Sequence, residues 1–76
     1  MNFERISVDP KIIMGKPCIK GTRITVELIL EKLAGGAYFD YLIKAYPRLT
    51  IADIREAIAY AHDVLTNEKI IEAKDA

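Results

Sequence analysis

Cysteine, histidine and net charge are the scarce commodities of this chain, and each scarcity excludes something. Cys18 stands alone, so no intramolecular disulfide forms, and a lone thiol fits a reducing cytosol. His62 is the single histidine and has no cysteine or second histidine at metal-ligand spacing, so no metal site is expected. Eleven basic residues balance eleven acidic ones, and the whole-molecule field therefore gives no argument for a nucleic-acid partner. No apolar run approaches the roughly eighteen residues of a membrane-spanning helix. The N-terminus alternates charged and apolar residues and does not read as a signal peptide. Repeats, linkers and low-complexity tracts are absent. The segment from Gly15 to Gly21 lacks the spacing and context of a phosphate-cradling or dinucleotide glycine loop. A soluble, cytoplasmic protein with no cofactor, no metal and no membrane partner is expected, and catalysis is not.

What remains is short and rich in apolar residues. Seventy-six residues make one domain with a core that is marginal by itself, and the usual staples of small domains are missing. An apolar fraction of 51% is slightly high for so short a soluble chain, which favours a hidden interface, by default that of a homodimer. Charge is also unevenly spread. Residues 1–25 hold Arg5, Lys11, Lys16, Lys20 and Arg23 against Glu4 and Asp9, and the acidic excess lies in the remainder. A local basic face on a neutral molecule is permitted.

The least generic stretch runs from Gly15 to Val26. Gly15 and Gly21 supply positive φ or close backbone approach, and Pro17 fixes its own φ while biasing Lys16 towards extended geometry. Cys18-Ile19 and Ile24 read as brief strands or a hairpin. The stretch gathers Lys16, Lys20 and Arg23 and contains no acid before Glu27. Cations beside glycine turns suit phosphate, with Thr22 as a further donor. The competing reading is structural: an arginine in such a turn clamps carbonyls or a carboxylate of its own fold or dimer mate.

Upstream, Phe3, Ile6 and Val8 separated by polar positions predict a half-buried strand over residues 1–8, followed by a turn at Asp9-Pro10. Downstream, Thr25 caps a first helix over Val26 to Ala34, with Val26, Ile29, Leu30 and Leu33 on one stripe and Gly35-Gly36 ending it. A second helix is expected from Phe39 to Tyr46, stopped by Pro47. Thr50 and Asp53 form a capping box in which Asp replaces Glu, opening a third helix from Ile51 to Leu65 or beyond. Its seam is expected at Ile51, Ile54, Ile58, Ala61 and Leu65. The outline is mainly α: a three-helix, helix-turn-helix bundle (residues 26–66) behind a strand-and-turn arm (1–25), with a tail (67–76). Generic three-helix packing gives the same outline.

Ile6-Ser7-Val8-Asp9-Pro10, Gly15-Lys16-Pro17 and Ile19-Lys20-Gly21-Thr22-Arg23-Ile24-Thr25-Val26 resemble the domain of unknown function 433 family. The resemblance continues through Gly36, Tyr46-Pro47-Arg48-Leu49-Thr50, Asp53-Ile54 and Ala57 to Ala61. It implies a homeodomain-like helix-turn-helix fold, dimerisation, and a role as a VapB-like antitoxin paired with a small PIN-like nuclease toxin. One departure stands out. The family usually opens its second helix with a serine-type cap followed by acids, whereas this chain has Tyr38 at the cap and Tyr41 after Asp40.

The expected function is therefore antitoxin-like, with a PIN-like toxin as partner and the protein's own promoter DNA as a further one. Lys16, Lys20, Arg23 and Arg48 are the candidates for DNA phosphate contact. Tyr38, Tyr41, Ile70 and Ile71 are the candidates for protein contact, against the plainer reading that the tyrosines pack on neighbours. The third helix carries Asp53, Glu56 and Asp63 against Arg55, an unpromising balance for a sequence reader. The tail after Thr66 is short for a toxin-wrapping segment, which leaves a stand-alone transcriptional regulator as the alternative. His62 is expected at the surface and Cys18 as a buried thiol.

Overall fold

The computed structural model describes residues 3–67. Ile70 and Ile71 lie outside the described residues. Two short strands, β1 (Ile6–Ser7) and β2 (Cys18–Ile19), precede three helices, α1 (Val26–Ala34), α2 (Phe39–Ala45) and α3 (Ile51–Thr66). The expected mainly helical fold with a small β arm is what forms.

The strands pair antiparallel within one chain, Ile6 opposite Ile19 and Ser7 opposite Cys18. The long connection between them turns at Asp9, whose Oδ1 accepts the Lys11 N–H at 2.9 Å. It then passes through one tight helical turn, Ile13–Gly15, where Ile13 (φ 48°) and Met14 (φ 56°) are both left-handed. A β-branched residue rarely adopts that conformation. Met14 stands almost wholly in solvent, at 94% exposure.

The expected strand over residues 1–8 shrinks to two residues. The spacing Phe3, Ile6, Val8 is three then two, not strict alternation, and the Ile6 N–H donates to the Phe3 carbonyl in a turn. Phe3 leaves the strand and meets Tyr60 of α3 edge-to-face, with ring centroids 5.3 Å apart, while Val8 is exposed.

Helix bounds follow their caps. Thr25 Oγ1 accepts the Leu28 N–H at 2.9 Å, opening α1. Gly36 (φ 102°) follows Gly35 past its end. In α3, Thr50 Oγ1 accepts from Asp53 N–H and Asp53 Oδ2 accepts from Thr50 N–H, at 3.1 and 3.0 Å. Tyr38 opens α2 with no side-chain cap, and Tyr46 closes it as the residue after the last helical one.

The core joins Ile6 and Ile19 of the arm to Val26, Ile29, Leu42, Leu49, Ile54 and Ala57. Of the five seam positions expected on α3, one is buried, Ala61 is partly buried and three are exposed. Ile54 is fully buried and Ala57, not foreseen, is buried with it, but Ile51, Ile58 and Leu65 are exposed. Residues seven apart share a helix face, and α1, α2 and the arm cover the neighbouring one.

Candidate functional site

The basic arm is shaped by Gly21 and braced by Thr22. Gly21 turns the chain at φ 79°, a conformation costly for any residue with a Cβ. Thr22 Oγ1 donates to the Ile19 carbonyl at 2.8 Å and accepts the Ile24 N–H at 3.0 Å, and the Ile19 N–H donates to the Ile24 carbonyl at 2.9 Å. The turn 20–23 is thereby rigid without burying any of its cations. Lys20 and Arg23 are exposed on either side of it.

Arg48, in the α2–α3 connection, donates from Nη2 to the Gly21 carbonyl at 2.8 Å. The structural clamp expected of an arginine therefore exists, but Arg48 supplies it and not Arg23. A guanidinium carries five N–H donors, so one bond leaves Arg48 able to contact an anion as well. Lys16 pairs with Glu27 at 2.9 Å, with both side chains more than half exposed. Such a pair is weak, worth about 1 kcal/mol at most, and yields readily to a phosphate.

Lys16, Arg23 and Arg48 line one open groove of about 620 Å³ together with Ser7, Asp9, Ile12, Cys18, Gly21, Thr22 and Ile24. Lys20 lines the adjacent depression with Glu4, Arg5, Ile19, Thr22, Arg48 and Asp53. All four residues chosen from the sequence thus surround one turn, across Arg48 and Thr22. A third depression, sharing Arg5 with the second, continues onto α3 and is lined by Phe3, Ile51, Ala52, Arg55, Glu56 and Ala59.

Arg5 is the residue that sequence reading missed. Its Nη1 lies 3.2 Å from Asp53 Oδ1, its Nε lies 4.0 Å from Glu56 Oε1, and its backbone N–H donates to Glu56 Oε2 at 2.6 Å. One arginine thus fastens the arm to the first turns of α3. No local pattern signals it, because Arg5 and Asp53 are 48 positions apart.

Chemically, the assembly offers exposed cations on a fixed turn, which suits a polyanion's phosphates. Cys18 is buried, with its Sγ donating to the Lys16 carbonyl at 3.3 Å, and His62 is exposed, both as expected. No group of acidic, histidine or cysteine side chains suited to a metal ion occurs among the described residues. Nor is any described helix long and apolar enough to cross a membrane.

Tyr38 and Tyr41 are 77% and 55% exposed at the start of α2. Tyr41 lines a shallow depression with Glu31, Lys32, Gly35, Gly36 and Ala37, none of which lines the basic groove. The plainer packing reading does not describe Tyr38, most of which meets solvent.

A family model described as "Protein of unknown function (DUF433)" matches residues 6–61. The chain is 33% identical over 58 residues to the "Uncharacterized protein y4eO" of Sinorhizobium fredii (strain NBRC 101917 / NGR234). That match takes in 76% of this chain and 26% of the relative, so the chain spans about a quarter of that protein's length. A crystal structure of a DUF433 member protein from Anabaena variabilis ATCC 29413 superposes with a TM-score of 0.75 at 30% identity. The superposition covers 78% of this chain and 58% of the other.

Proposed function

The chain belongs to the DUF433 family, whose function is unknown, and from that premise we propose that it is an antitoxin-like DNA-binding protein. In this reading α2, the connection through Arg48 and α3 form a homeodomain-like helix-turn-helix unit, and the Gly21 turn contacts DNA backbone beside it. One observation carries the proposal: Lys16, Lys20, Arg23 and Arg48, scattered over 33 positions of a chain with no net charge, converge on one rigid, exposed turn. Phosphate contacts of this kind position a protein on a duplex without reading its sequence.

The partner side of the proposal is a PIN-like nuclease docked on the folded body at Tyr38 and Tyr41, with the protein acting as a homodimer. Large exposed aromatics support a contact surface, since interface cores are enriched in them. The groove and the tyrosine depression have separate linings, so DNA and a protein partner need not compete.

The alternative is a stand-alone regulator. The basic groove is complete within one chain, and that favours DNA binding without a second protein. Two experiments separate the readings. Binding of the full chain to duplex DNA from upstream of its own gene should fall at every sequence tested when Lys16, Lys20 and Arg23 are replaced together by alanine. Absence of wild-type binding at low salt overturns the DNA assignment. Co-purification from the native cell should return a small nuclease-like protein in stoichiometric amount. If the tagged chain returns alone, the regulator reading replaces the antitoxin one.

A further inference from the structure

We infer that the exposed N-terminal half of α3 reads base edges in the major groove, with Arg55 as the residue that discriminates sequence. The inference rests on the DNA-binding reading above. The charge balance of α3 in the sequence speaks against it, since three acids stand against one arginine on residues 51–66. The fold answers most of that objection, although Glu56 lines the same depression as Arg55. Asp53 is 6% exposed, with Oδ2 on the Thr50 N–H and Oδ1 against Arg5. Glu56 is held by both the backbone and the side chain of Arg5. Asp63 lies eight residues beyond Arg55, about 12 Å along the axis at the helical rise.

What α3 presents instead is Ile51, Ala52 and Arg55, all exposed, with Ala59 partly so. Among the described residues Arg55 makes no salt bridge: Arg5 and Lys16 supply those that form. Its helical neighbours at three and four positions are Ile51, Ala52, Ile58 and Ala59, none of which can hold a guanidinium. Small residues on both sides leave room for close approach to a base pair. Arginine pairs bidentately with guanine O6 and N7, and apolar side chains such as those of Ile51 and Ala52 meet thymine methyl groups.

Position agrees with chemistry. The depression containing Arg55 adjoins, through Arg5, the one containing Lys20 and Arg48, which adjoins the main groove through Arg48. The surface thus runs from Arg55 to four cations assigned to backbone, as when a recognition helix enters the groove by its N-terminal residues while flanking groups hold phosphates. That continuity favours a duplex over a protein at this face, although Ile51, Ile58 and Leu65 add apolar area.

The test uses the full chain, wild type and Arg55→Ala, with selection from a duplex library carrying a randomised core. Wild type should enrich a motif containing guanine. Arg55→Ala should bind the selected duplex about ten- to a hundredfold more weakly, at unchanged melting temperature and with little change on scrambled duplex. Discrimination that survives Arg55→Ala overturns the inference and leaves the phosphate reading intact, as does wild-type binding that enriches no motif. If wild type binds no duplex, both fall. A change of oligomeric state on Ile51→Glu assigns the face to a second copy of the chain and also overturns the inference.

Discussion

Replacing Asp53 by alanine removes two contacts made by one carboxylate, the bond to the Thr50 N–H that is half of the capping box and the ion pair with Arg5, while the backbone N–H at position 53 keeps its bond to Thr50 Oγ1. Loss of a cap costs about 1 kcal/mol, and stranding a half-exposed arginine adds a similar, solvent-discounted amount. Asp53→Ala is therefore expected to destabilise the chain by about 2 kcal/mol in a denaturant titration. Arg5→Ala should cost about half of that, because Asp53 keeps its cap bond. Equal effects of the two changes would sink this division of labour. Asp53 was legible as a capping residue from Thr50-Ile51-Ala52-Asp53 alone. Its second partner was not, since an arginine in another element leaves no mark on the local sequence.

At the scale of elements, whatever is written within one turn was readable and whatever depends on neighbours was not. The bounds of α1 and α3 follow from Thr25, Gly35-Gly36 and the Thr50 box, all local chemistry. The inward face of α3 was misjudged because its apolar positions cover two faces, and only the packing of α1, α2 and the arm selects Ile54 and Ala57. The strand failed for the same reason: Phe3 is drawn away to Tyr60. Among the three helices only α2 lacks a side-chain cap at its N-terminus, which is Tyr38. Tyr38→Ser should stabilise the protein by roughly 1 kcal/mol, read as a higher melting temperature, because the lost aromatic was mostly in solvent. The same substitution should weaken retention of the proposed protein partner. Stability that falls would show that Tyr38 packs more than its exposure indicates.

For the molecule as a whole, the sum of charges misleads and their placement decides. The four candidate cations were legible as individual residues, and the groove they share was not, because Arg48 reaches the Gly21 turn from 27 positions away. If each contacts one phosphate, the logarithm of the DNA association constant should fall with that of salt at a slope of about −3.6 per chain. Single alanine changes at Lys20 or Arg23 should each flatten the slope by about one, whereas a slope near zero would deny phosphate contact altogether. The arm's attachment by Arg5 and Arg48 also sets an order of events in time. Partners 48 and 27 positions apart require large loops to close, and local helical contacts form faster than such loops. The three helices should assemble first and the arm should dock last. Arg5→Ala then leaves the refolding rate nearly unchanged and speeds unfolding. The arm is thus the first part of the molecule to let go, and it takes most of the phosphate-binding groove with it.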